Sequence, residues 1–276
     1  MPYRNYLHRN PEKEGRFGIE WNGNAETETN MNGLSVKENS TKDLTSHVAV
    51  VTGAGRGIGR AVALQLAAMG ATVILLARDR TALDEVKQQI ESSGGSAESA
   101  SCDLLDPQAV ASFGEHIRSA CGRCDILVNN AGIGNQGHPL HEMAVKDWDQ
   151  LMATNLRAPF LMIRALAPLM IEANTGHIVN ISSLAGRNPL PNGAAYSASK
   201  WGLNGLSYSV AEELRQYNIR VSVVSPGSVN THFGGGGSKN PSTKVQPEDV
   251  AAIVAMLVTQ PPQSFISEVL VRPTRK

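Results

Sequence analysis

The chain has 276 residues, enough for one α/β domain with a sizeable core. Its 25 acidic and 25 basic residues balance, so no net field recruits nucleic acid or anionic lipid. No apolar stretch is long enough to span a bilayer free of charge, and the charged amino-terminal segment lacks the apolar region of a secretory signal. The expectation is a cytoplasmic protein with neither a nucleic-acid nor a membrane partner.

Residues 1–45 are polar, rich in Asn, Glu and Gly, and carry no sustained period. They are expected to form a disordered extension ahead of a domain spanning 46–276. Met31 lies within this stretch, so a misassigned start and a functional arm both stand as readings of it.

From residue 47 strand and helix patterns alternate. Strands are expected near 47–52, 72–77, 97–101, 125–129, 177–181, 220–225 and 267–271. Helices are expected near 57–69, 79–92, 107–120, 147–173, 194–217 and 247–259. Such alternation implies a parallel sheet covered on both faces. Pro159 and Pro168 should kink the long helix or change its hydrogen bonding. Pro247, followed by Glu248 and Asp249, marks a helix start.

The first strand runs into Thr52-Gly-Ala-Gly-Arg-Gly-Ile-Gly59 and then an apolar segment at helical spacing. Glycines at 53, 55, 57 and 59 let the backbone turn sharply and let a pyrophosphate approach closely. The helix amino end adds free N–H groups and the positive end of the dipole. A tight strand-to-helix connection with no ligand is the plainer reading. The second strand ends at Leu76 and Ala77, which cannot accept bonds from a ribose 2′-hydroxyl as an NAD-selecting carboxylate does. Arg78 comes next and Arg56 sits in the glycine turn, a pair suited to a 2′-phosphate or, alternatively, two solvated surface residues. Asp79, one residue late, keeps the NAD reading open. Further on, Asp103 can accept from an adenine amino group. Asp125-Ile-Leu-Val-Asn-Asn-Ala-Gly132 is a buried strand followed by a small polar turn that can pass under a nucleotide.

Two other groups of residues invite functional readings. Cys121-Gly-Arg-Cys124 has redox or zinc spacing, but it lacks a second ligand pair, and three cysteines fit no disulfide framework. Cys124 reads better as a small apolar residue before a buried strand, and no metal site is expected. His138 and His141 read as solvated loop residues.

The most telling constellation is Tyr196, Lys200 four residues later, and Ser183 thirteen residues upstream. Positions i and i+4 share a helix face, so phenol and ammonium address one site. An ammonium beside a phenol favours the phenolate and brings tyrosine toward use as an acid or base. Ser183 follows the apolar run Ile178, Val179, Ile181, at the strand end where open α/β sheets bind ligands.

Together, Thr52-Gly-x-x-x-Gly-x-Gly59, Asn129-Asn-Ala-Gly132, Asn155, Ser183, Tyr196-x-x-x-Lys200 and Pro226-Gly227 resemble the short-chain dehydrogenase/reductase family over roughly residues 46–272. The resemblance implies a single-domain Rossmann fold, with a doubly wound, seven-stranded parallel sheet. It implies a nicotinamide cofactor, with NADP(H) preferred over NAD(H), and a tetrad of Asn155, Ser183, Tyr196 and Lys200. Asn155, near a helix irregularity, would steady Lys200 through a water. Cofactor contacts would come from Gly53, Gly55, Arg56, Gly57, Ile58, Gly59, Arg78, Asp103, Leu104, Asn130, Ala131, Gly132, Tyr196, Lys200, Pro226, Gly227 and Val229. A small carbonyl or alcohol substrate and a homotetramer or homodimer follow from the same likeness, with 3-oxoacyl-carrier-protein reductases as the nearest functional flavour.

Two features depart from the family pattern. The chain closes on Glu268-Val-Leu-Val-Arg-Pro-Thr-Arg-Lys276 where an Asp-Gly-Gly is common. The substrate-covering segment is short and glycine-rich, Gly234 to Gly237, which predicts a rather open site. The rival readings are a catalytically silent NADP-binding regulator, an extended-branch epimerase or dehydratase, and a partner-binding protein. The intact tetrad weighs against the first and third, and the short carboxyl-terminal part against the second.

Overall fold

In the computed structural model residues 43–134, 139–233 and 241–275 are described, all within one compact unit, Ser40–Lys276. The segment 1–42, His138 and Gly234 to Gly237 lie outside the described residues, and with them nearly all of the expected extension.

Runs rich in Val, Ile and Leu form the central strands. These are β1 (Val48–Thr52), β2 (Thr72–Ala77), β4 (Ile126–Asn129), β5 (Gly176–Ile181) and β6 (Ile219–Pro226), with β3 (Ser96–Ser101) and β7 (Glu268–Val271) at the edges. All pair in parallel, in the order β3-β2-β1-β4-β5-β6-β7. The order reverses between β1 and β4, so the crevice for a ligand opens beyond Thr52 and Asn129.

Successive residues of a strand face opposite sides, and both sides are apolar. Ala49 and Val51 of β1 join one core with Val73 and Leu75, whereas Val48 and Val50 join the other with Ile74 and Leu76. The first core is capped by α1 (Gly57–Ala68), α2 (Arg80–Ser92) and α7 (Pro247–Val258), through Leu66, Leu83, Val250 and Leu257. The second is capped by α3 (Pro107–Cys121), α5 (Ala158–Ala173) and α6 (Ala194–Leu214), through Ile117, Leu166, Met170 and Val210. Burying one such side chain is worth about 1.5–3 kcal/mol, so the centre is mostly apolar and its buried Asn129, His177 and Asn180 are hydrogen-bonded, whereas edge strand β3, Ser-Ala-Glu-Ser-Ala-Ser, can be polar. Among the described residues no helix is long and apolar enough to cross a membrane.

The helix expected over 147–173 is three pieces: α4 (Val145–Met152), a π-helical turn (Ala153–Arg157) and α5. The cause lies in Pro159, which has no N–H for the carbonyl four residues earlier, at Asn155. A wider turn there relieves the mismatch. Pro168 sits inside α5 without ending it. It and Arg164, whose carbonyl it cannot serve, are both on the exposed face. Asp79 caps α2 by accepting from the Ala82 N–H at 3.2 Å through one carboxylate oxygen, and it also lines the cleft described below.

Candidate active site

Beyond the switch point lies a cleft of about 1050 Å³. Its floor begins at the glycine turn. Gly53 (φ +65°) and Gly57 (φ +56°) adopt left-handed backbone, which side chains resist. Gly59 faces a different constraint, because a Cβ there would sit 2.3 Å from the Gly53 carbonyl oxygen and 2.5 Å from Asn130 Nδ2. Gly59→Ala is therefore expected to lower stability by about 1–3 kcal/mol or more, read as a lower urea midpoint. An unchanged midpoint would show that the turn has room to spare.

Thr52 organises this floor. Its buried Oγ1 accepts from the Asn130 and Ala131 N–H groups at 2.9 and 3.0 Å and donates to Val128 O at 3.3 Å. Asn130 Nδ2 returns the tie by donating to Thr52 O at 2.9 Å and Gly53 O at 3.3 Å. The turns after β1 and β4 are thus fastened to each other. At the α1 amino end, Arg56 is the capping residue, its side chain makes no cap bond, and the first turn holds no acid. Those N–H groups remain available to an anion.

Gly53, Gly55, Arg56, Gly57, Ile58, Arg78, Asp103, Leu104, Asn130, Ala131, Gly132, Pro226, Gly227 and Val229 all line the cleft, together with Ser183, Tyr196 and Lys200. Gly59 and Asn155 do not; they lie behind its wall, both buried. Arg56 and Arg78 are exposed at the rim. The Asp103 carboxylate accepts from the Leu105 N–H at 3.1 Å, which leaves its second oxygen for a ligand. Gly227 N–H donates to Val271 O at 2.8 Å, and Val229 bridges Val245, so the segment after β6 is anchored as it passes over the glycine turn. There Thr231 Cγ2 lies 3.2 Å from where a Gly57 Cβ would be.

The four tetrad residues converge. Ser183 heads a one-turn 3-10 helix (Leu184–Gly186) beyond β5, its Oγ accepting from the Ala185 N–H at 3.1 Å. The same hydroxyl and the Tyr196 phenol line the cleft together, and the hydroxyl favours the ionised phenol. Lys200, one turn further along α6, is 4 % exposed and donates from Nζ to Ile181 O at 2.9 Å. Asn155, in the π turn, accepts from Ile133 N–H at 2.9 Å and donates to Ile133 O at 3.0 Å and Ser199 Oγ at 3.1 Å. It clasps the loop after β4 to α6 through these partners. A Cβ at Gly132 would come within 3.3 Å of Asn155 Oδ1 and 3.8 Å of Lys200 Nζ, so these two groups flank the same small space.

The electrostatics differ from the sequence expectation. Burial raises the Tyr196 phenol above its ordinary value, and the Ser183 hydroxyl pulls against that rise. The Lys200 ammonium lies 5.9 Å from the ring centroid and is directed at a carbonyl, so it does not reverse the rise. Burial pushes Lys200 itself down to about 8. The phenol therefore holds its proton at neutral pH.

Composition and spacing did not single out Thr52, Ser199 or Phe233. Phe233 packs its ring 6.1 Å from that of Tyr196 and is half exposed to the cleft. A threonine directly before a glycine turn was the only signal for the first. Cys102, Cys121 and Cys124 are free thiols, each raised by burial, Cys124 the most. His141 is exposed beside Glu142. Among the described residues no cluster of His, Cys, Asp and Glu is arranged to hold a metal.

The model of the family described as short chain dehydrogenase matches residues 47–241. A 3-oxoacyl-[acyl-carrier-protein] reductase of Synechocystis sp. is 36% identical over 232 residues, covering 81% of this chain and 94% of its own. A sepiapterin reductase of Chlorobaculum tepidum is 33% identical over 236 residues, covering 83% and 96%. Among solved structures, a metagenomic short-chain oxidoreductase in complex with NADP superposes with a TM-score of 0.76 at 55% identity, covering 84% of this chain and 99% of that one. With a sheet of this order and a family match over most of its length, the chain belongs to the short chain dehydrogenases, a family of oxidoreductases.

Proposed function

We propose that the protein is an NADP(H)-dependent oxidoreductase that interconverts a ketone and a secondary alcohol. The observation that carries this reading is that Ser183 and Tyr196 line the glycine-turn cleft together with the buried Lys200. The residues present fit the cofactor. A turn with two left-handed glycines, an uncapped helix amino end and two rim arginines suit a pyrophosphate and a further phosphate. Two unused protons on Lys200 Nζ suit ribose hydroxyls. When bound, nicotinamide supplies the hydride for reduction and receives it in oxidation. The chain does the rest. In reduction, Ser183 donates a hydrogen bond to the substrate oxygen as negative charge develops there. Tyr196 transfers its phenolic proton to that oxygen, and the resulting phenolate is held by Ser183 and the Lys200 ammonium until solvent restores the proton. Asn155 keeps α6 and the loop after β4 in register while this happens.

Absorbance of NADPH, followed with a panel of β-ketoacyl thioesters, keto esters, quinones, sugars and steroids, tests the assignment. Oxidation with at least one carbonyl is the expected outcome; tight NADPH binding with none would favour a silent regulator. The relatives named as reductases make β-ketoacyl thioesters the first members of the panel and add a pterin, sepiapterin, to it.

Cofactor choice rests on Arg56 and Arg78. Losing one charged bond to a 2′-phosphate should cost about 1.5–3 kcal/mol. Arg78→Ala is therefore expected to raise the Michaelis constant for NADPH roughly ten- to a hundredfold while leaving that for NADH nearly unchanged. Equal use of both cofactors by the native enzyme would contradict the preference.

Assembly is proposed through α4, α5 and α6. A groove of about 590 Å³, lined by Met152, Leu156, Phe160 and Leu206, opens on this face, with Phe160 45% and Trp201 52% exposed. An apolar surface of this kind suits a two-fold contact with a second copy. Light scattering at micromolar concentration should give a dimer or tetramer mass, and a monomer mass would exclude it.

A further inference from the structure

Arg187 follows the turn that Ser183 heads, yet lies outside the cleft lining. Its guanidinium forks onto Glu268: Nε donates to Oε1 at 2.9 Å and a terminal amino group donates to Oε2. That amino group also donates to the Tyr208 hydroxyl, which in turn donates to Glu268 Oε2 at 3.0 Å. The Tyr208 ring lies 5.4 Å from the guanidinium carbon. Ser225 Oγ donates to Glu268 Oε1 at 3.4 Å. Glu268 opens β7, Ser225 lies in β6, and Tyr208 lies in α6, the helix of Tyr196 and Lys200. The same helix holds the turn a second time, through Asn204 Nδ2 donating to Gly186 O at 3.1 Å.

The Arg187 side chain is 40% exposed and that of Glu268 17%, so solvent screens part of the ion pair. A planar fork on a carboxylate is nonetheless strict about direction. It reaches 81 residues along the sequence to fix a loop residue four positions past Ser183. We propose that Arg187, Glu268 and Tyr208 form a positioning clamp that holds the Ser183 turn in register with Tyr196, so that both hydroxyls address one substrate oxygen. The proposal rests on the reductase reading of that site and adds three positioning residues to it.

A double-mutant cycle on turnover tests it, with a carbonyl substrate and NADPH. Arg187→Met is expected to lower kcat on the order of 10- to 100-fold, the size of a roughly 1 Å misplacement. The Michaelis constant for NADPH should stay within about twofold. Arg187→Lys should recover only part of the loss, because an ammonium cannot fork. In a Ser183→Ala background the same Arg187→Met change should cost little more, since the group it positions is gone. Should Arg187→Met fail to fold, Glu268→Gln carries the same cycle. Equal losses in both backgrounds would overturn the clamp as a positioning device. So would native turnover in Arg187→Met beside a defective Ser183→Ala enzyme. A Ser183→Ala enzyme with native kcat would overturn the reading of the site itself, and the clamp with it.

Discussion

Replacing Tyr196 by phenylalanine is expected to lower turnover by about two to four orders of magnitude, the usual contribution of a positioned acid. The change removes one oxygen and leaves the ring, so the packing against Phe233 survives. The Ser183 hydroxyl keeps the bond it accepts from the Ala185 N–H. NADPH affinity should change little, because the donors assigned to the ribose are on Lys200. Steady-state rates and a binding titration on the same preparation check both halves. If Tyr196 and Lys200 were merely neighbours on a helix, the variant would turn over at the native rate.

The second large effect is expected at Lys200, and it has two signs. Lys200→Met should reduce turnover by about two orders of magnitude or more, through loss of the charge that holds the phenolate. It should also make the cofactor-free protein more stable at neutral pH. The ammonium is buried and donates to the Ile181 carbonyl, and its pKa falls from 10.5 to about 8. Below pH 8 both folded and unfolded chains carry the proton and the burial penalty is full. Between pH 8 and 10.5 the folded chain binds fewer protons than the unfolded chain, so this group's contribution to stability rises with pH. The penalty is on the order of 3 kcal/mol. Urea unfolding of the native protein and Lys200→Met across this window should show the variant more stable at pH 7, with the gap closing toward pH 10. A variant less stable at pH 7 would mean the lysine is better solvated or paired than its burial indicates. Such a trade of stability for chemistry is expected at an active site.

The sheet was legible because its central strands are short apolar runs bounded by glycine and polar residues, and these signals are local; the polar β3 followed from the strand–helix alternation around it. Strand boundaries moved by at most one residue, as with β6, which runs from Ile219 to Pro226. The glycine turn and the Tyr196 and Lys200 pair were legible because spacing alone puts them on one turn or one helix face. The π turn at Ala153–Arg157 was not fully legible. Pro159 announced an irregularity, but its form accompanies the grip of Asn155 on Ile133 and Ser199, 22 and 44 residues away. The direction of the Tyr196 shift was missed for a related reason. Sequence shows a lysine one turn away but says nothing of the burial that outweighs it. Arg187 and Glu268 lie 81 residues apart with no local pattern linking them, and only the fold brings them together.

The most direct test of the central claim follows one hydrogen. The protein is incubated with a carbonyl substrate and NADPH deuterated at the hydride-donating carbon of nicotinamide, and the alcohol product is analysed by mass spectrometry. The account predicts one deuterium on the carbinol carbon of each product molecule, with the hydroxyl proton coming from solvent by way of Tyr196. An alcohol formed without that label, or label found in water, would contradict direct hydride transfer.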